Sequence, residues 1–117
     1  MSRFVDVAGV GDLADGSMTR VTVEGRDLLL ARVGDRYYSV DDHCPHMGGR
    51  LSHGTLDGTT VTCPRHGSQF DITTGRVLRW THWTGIKLAL AKMLKSPRPV
   101  KVYPVRTEAE RVQVDLE

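Results

Sequence analysis

Two short clusters constrain this chain more than anything else in it. They are Cys44-Pro45-His46 and Cys63-Pro64-Arg65-His66, with 16 residues between His46 and Cys63. Each offers one soft thiolate and one imidazole, and the chain has no other cysteine. Two Cys and two His can build a tetrahedral zinc site. The same four can hold a [2Fe–2S] cluster, with Cys on one iron and His on the other. Zinc fingers usually pair Cys with Cys and His with His, whereas here each cluster is mixed. A disulfide is the other common use of two cysteines, but both sit in ligand-type motifs and no export signal is visible.

At 117 residues the chain is expected to be one domain, 1–117. Its hydrophobic content is a modest 39%, so a bound metal group would help to hold the loops. A net charge of +2 gives no case for nucleic acid binding, and acidic and basic residues are interspersed rather than run together. No stretch approaches 18 apolar residues, so no membrane span is expected. The segment Met1-Ser2-Arg3-Phe4-Val5-Asp6 has no apolar leader, and a cytoplasmic location is expected.

The pattern reads as all-β, with short strands between turn signals. Arg3 to Ala8 is a first strand, and Val10-Gly11-Asp12-Leu13 makes a turn. Met18 to Val23 alternates and leads into a hairpin turn at Glu24-Gly25-Arg26-Asp27. Leu28 to Val33 is a strong apolar run, and Gly34-Asp35 turns the chain into Arg36 to Val40. Asp57-Gly58 leads to the β-branched Thr59-Thr60-Val61-Thr62. Val100 to Val105 and Arg111 to Leu116 form a closing hairpin through Glu108-Ala109-Glu110. Roughly eight strands with short turns suggest a sandwich or barrel.

One segment breaks the pattern. Ile86, Ala89, Leu90, Met93 and Leu94 recur at helical spacing. Thr84 can cap the start and Pro97 stops the repeat. The spacing predicts one amphipathic helix over 85–95, inside an insertion at about 80–99. Trp80, Trp83 and this apolar stripe would pack on the strands or form a docking face.

The flanks of the clusters carry a family resemblance. Cys44-Pro45-His46-Met47-Gly48-Gly49, Cys63-Pro64-Arg65-His66-Gly67-Ser68-Gln69-Phe70-Asp71 and the following Thr74-Gly75-Arg76 resemble the two cluster loops and the next turn of the Rieske family. The resemblance is detailed from about Tyr38 to Val77. It implies an antiparallel β-sandwich with both loops at one tip. It implies a [2Fe–2S] cluster, one per chain, with Cys44 and Cys63 on one iron and His46 and His66 on the other. Gly48, Gly49 and Gly67 would let peptide N–H groups approach the sulfides, and Pro45 and Pro64 would stiffen the loops. Ser68 resembles the family serine that hydrogen-bonds a cluster sulfur. His43, His53 and His82 are expected to be solvated or structural. Asp41-Asp42 is expected to be a solvated turn, with an acidic docking spot as the alternative. Compact members of the family usually have less chain after the Thr-Gly-Arg turn, so the insertion is a departure.

The function this implies is a one-electron carrier, not a catalyst of substrate chemistry: a ferredoxin component of a multicomponent oxygenase. It would take electrons from an NAD(P)H-dependent flavin reductase and pass them to a terminal oxygenase. Two alternatives stand beside it: a small electron-transfer subunit of another oxidoreductase, such as nitrite reductase, and a zinc-bound interaction module. High-potential relatives carry an extra loop disulfide and a tyrosine donor to a ligand sulfur. Here those places are Gly49, Arg65 and Phe70. Fewer donors stabilise the reduced cluster less. The potential is therefore expected in the lower half of the range of about −150 to +300 mV. Protein-film voltammetry measures it, and a value near the top of that range would contradict the reading.

Overall fold

A computed structural model describes residues 2–45, 49–65, 67–79 and 98–117. The helix predicted over 85–95, with Trp80, Trp83 and His82, lies outside the described residues. Among those described, the chain forms eleven short strands and one 3-10 turn, so the all-β reading holds. No helix among them is long and apolar enough to cross a membrane.

The strands make three antiparallel sheets. The first contains β1 (Phe4–Gly9), β11 (Arg111–Asp115) and β10 (Val105–Glu108), in that order. The second runs β2 (Met18–Val23), β3 (Arg26–Val33), β4 (Arg36–Asp41), β9 (Val102–Tyr103). The third runs β5 (Thr55–Asp57), β6 (Thr60–Thr62), β7 (Gln69–Asp71), β8 (Val77–Arg79). A 3-10 turn, Leu51–His53, precedes β5.

The apolar run of β3 is explained by its central place. Successive side chains point to opposite faces. Leu29 and Ala31 enter one buried cluster with Val40, Val61, Phe70 and Ile72, and Leu28 enters another with Tyr103, Val114 and Leu116. A strand covered on both faces has no polar side to show. In the third sheet the inward row runs sideways. Leu56 pairs with Val61, Val61 with Phe70, and Phe70 with Val77, all against the first cluster.

Two predicted elements are finer in the structure than in the sequence. The stretch Val100 to Val105 is two strands, because Pro104 has no N–H for the ladder. There the chain leaves the second sheet for the first, and the Pro104 carbonyl accepts from the Asp115 N–H at 2.9 Å. β5, β7 and β8 were not predicted; three residues each are too few for an alternation signal.

Turn chemistry is uneven. The β2–β3 hairpin turns on Glu24 (φ 50°) and Gly25 (φ 79°), and the β10–β11 hairpin on Ala109 (φ 50°) and Glu110 (φ 63°). Two consecutive left-handed residues are the mark of a type I′ turn, which favours Asn-Gly. Neither Ala109 nor Glu110 is suited to that region, where an L-residue costs about 1–2 kcal/mol. Replacing the pair by Asn-Gly (Ala109→Asn with Glu110→Gly) is expected to stabilise the protein by about 1 kcal/mol. Urea denaturation checks this; unchanged or lower stability would contradict the turn geometry.

Candidate metal centre

Both clusters lie in loops that leave paired strands. Loop 1 follows β4 and returns through an antiparallel bridge between His43 and Arg50. The Cys44 N–H donates to the Gly49 carbonyl at 2.7 Å, closing the loop at its neck. Loop 2 joins β6 to β7. There the Cys63 N–H donates to the Ser68 carbonyl at 2.7 Å, and the Gly67 N–H returns to the Cys63 carbonyl at 3.2 Å. Gly67 takes φ 72°, the left-handed conformation that only glycine adopts at little cost.

The loops touch one another. A Cβ placed on Gly49 would sit 3.0 Å from Cys63 Sγ and 2.8 Å from Arg65 Cγ. Gly49 does not need a positive φ; it is small because the sulfur and the Arg65 stem press against its Cα. A second close approach lies just behind. A Cβ on Gly54 would come within 1.8 Å of the Thr62 carbonyl oxygen, so only glycine lets the chain after the 3-10 turn cross β6. These two contacts fix the loops side by side.

The sulfurs are sheltered. Cys44 and Cys63 are 1% and 2% exposed and belong to the apolar cluster of Leu51, Val61, Phe70 and Ile72. The Phe70 ring, which carries no donor, is fully buried there. A low-polarity wall beside two thiolates suits a redox metal, because burial and hydrogen bonding set its potential. Ser68 is fully buried with its carbonyl committed to Cys63. His46, Gly48 and His66 lie outside the described residues. Of the seven residues singled out by sequence, the structure brings four together: Cys44, Cys63, Gly67 and Ser68. His43 and His53 are exposed, consistent with their expected structural or solvated roles.

The acid pair before loop 1 was misread. Asp42 is 1% exposed rather than solvated. Its carboxylate accepts the Ser52 N–H at 2.7 Å and the Ser52 hydroxyl at 2.9 Å, and Arg50 Nη1 approaches at 3.9 Å. Its carbonyl accepts from the Leu51 N–H at 2.8 Å. Asp41 accepts from the Tyr103 hydroxyl at 2.6 Å. Burial and that carboxylate together push the tyrosine up to about 12. Both acids are therefore braces that tie the base of loop 1 to its surroundings. The Thr74-Gly75 turn is braced too. The Thr73 hydroxyl and N–H hold the Asp71 carboxyl below its usual range, and the Gly75 carbonyl accepts from the Val100 N–H at 2.9 Å.

Two adjacent loops on a β scaffold, each presenting a buried thiol, outline a metal-binding domain of the kind that holds zinc or an iron–sulfur cluster. The model of the Rieske [2Fe-2S] domain matches residues 3–104, and the chain belongs to that family. The ferredoxin component of the naphthalene 1,2-dioxygenase system of Pseudomonas aeruginosa is 33% identical over 114 residues, covering 97% of this chain and 96% of that protein. The solved ferredoxin of carbazole 1,9a-dioxygenase from Nocardioides aromaticivorans superposes with a TM-score of 0.79 at 26% identity, covering 97% of each chain. A chain in the complex of reduced oxygenase and oxidized ferredoxin of carbazole 1,9a-dioxygenase superposes with a TM-score of 0.78 at 30% identity, covering 97% of this chain and 94% of that one. Membership implies a Rieske-type [2Fe–2S] cluster, and the buried thiols in touching loops fit that group.

With Asp42 bracing loop 1 in this way, Asp42→Ala leaves the two part-buried Ser52 donors without their acceptor. Stability is expected to fall by about 2–3 kcal/mol. Chemical denaturation of the loaded protein measures this; a loss under half that size would show that Asp42 is dispensable.

Proposed function

We propose that this chain carries one electron at a time on a [2Fe–2S] cluster held by Cys44, His46, Cys63 and His66. The electron comes from an NAD(P)H-dependent flavin reductase and goes to a terminal oxygenase. The observation that carries this reading is the contact of the two loops at Gly49 and Cys63, with both sulfurs buried. When bound, the cluster supplies reversible one-electron chemistry; neutral imidazoles in place of two thiolates make it less negative and easier to reduce.

The chain's own residues would do the rest. Cys44 and Cys63 would hold the inner iron from the apolar core, away from water. His46 and His66 would hold the outer iron, and an imidazole edge there offers an electron exit and a site for a coupled proton. Gly48, Gly67 and Ser68 would support the sulfurs through backbone and hydroxyl donors. Residues 1–117 act as one domain in this reading, with the segment at about 80–99 as an insertion.

The names of the relatives support the choice of partners. They are ferredoxin components of dioxygenase systems, and one solved relative is a complex with its oxygenase.

Reconstitution tests the proposal. A purified flavin reductase and ring-hydroxylating oxygenase that require a ferredoxin are expected to turn over with NADH only when this protein is added. The His66→Ala protein is expected to support no turnover, while the Arg36→Gln protein supports it as the parent does. Equal support from the His66→Ala protein would defeat the ligand assignment.

A further inference from the structure

Charge is divided between the two parts of the fold, although signs alternate locally along the chain. The described residues of 43–98, which include the third sheet and the described parts of both loops, carry five arginines against two aspartates. Residues 1–42 and 99–117 carry eight basic and twelve acidic residues. The small net charge of +2 thus hides a positive cluster-bearing part on a negative base.

The described arginines of the positive part are exposed, and three of them surround the loops. Arg50 follows Gly49 and is steadied by Asp27 at 3.3 Å. Arg65 sits within loop 2, its stem against Gly49. Arg79 ends β8 and donates from Nε to the Gly67 carbonyl of loop 2 at 3.0 Å. Leu78, 43% exposed, adds an apolar contact next to Arg79. Arg36 and Arg106 lie elsewhere: Arg36 starts β4, loop 1 leaves the far end of that strand, and Arg106 is on β10.

We infer that this arginine collar is the docking surface for a redox partner whose own electron-exit face is rich in carboxylates. The inference rests on the electron-carrier reading above and adds the sign of the interface. Charges around the exit raise the local concentration of an opposite partner and its on-rate, and the effect fades with salt. Arg50 and Arg79 are held by hydrogen bonds and an ion pair, so less side-chain entropy is lost on docking.

Small redox ions test the sign without a partner. The dithionite-reduced protein is mixed in stopped flow with anionic ferricyanide or cationic hexaammineruthenium(III) across a range of ionic strength. The ferricyanide rate is expected to fall with salt and the ruthenium rate to rise. The double variant Arg65→Gln/Arg79→Gln is expected to slow ferricyanide at low salt by about threefold or more. Arg36→Gln/Arg106→Gln, with the same change in net charge, is expected to slow it by less than half as much. Equal losses in the two variants, or a ferricyanide rate that does not fall with salt, would overturn the inference. A protein without the visible spectrum of an iron–sulfur cluster would remove the carrier reading as well, whereas a coloured protein with equal losses removes only the collar.

Discussion

Everything at the tip of this molecule depends on one contact: the bare Cα of Gly49 against the sulfur of Cys63 and the stem of Arg65. It brings two loops from different sheets to the same place. Each loop closes at its neck with a short backbone hydrogen bond, Cys44 to Gly49 and Cys63 to Ser68. Gly49 belongs to both devices, as acceptor in its own loop and as the gap that admits the other. With Arg65 in its present place, a Cβ at that point would have to displace the Arg65 stem and crowd the Cys63 sulfur.

The scaffold below serves this contact. Val61 and Phe70, paired across β6 and β7, put their side chains in the same cluster as both cysteines. Loop 2 is thus the tip of a hairpin anchored in the core. Loop 1 lacks such a hairpin and is held by Asp42 on Ser52, by the Leu51 N–H, and by the glycine crossing at Gly54. A buried, hydrogen-bonded carboxylate is a costly brace, and it is stable because both oxygens have donors.

The family was legible in the sequence because ligand-type motifs tolerate so few residue types at so few spacings. The long strands were legible because β2, β3, β4 and β11 each show a run or an alternation of six or so residues. The small strands around the loops were not, since three residues carry no period. Asp42 could not be read, because its burial depends on Ser52 arriving from ten residues away in the chain. The Ala109-Glu110 turn lacked the glycine signal that marks its counterpart at Glu24-Gly25. The arginines around the loops needed the fold, which brings Arg50, Arg65 and Arg79 to the loops from separate places in the chain, while short windows of sequence look mixed.

The central claim is that the touching loops carry a [2Fe–2S] cluster with mixed cysteine and histidine ligation. Visible absorption and EPR of protein purified without air, before and after dithionite, test it most directly. The account predicts a red-brown oxidised form and, on reduction, a one-electron signal with the low average g value of histidine-ligated clusters. A colourless protein that still holds zinc after iron–sulfur reconstitution would contradict it.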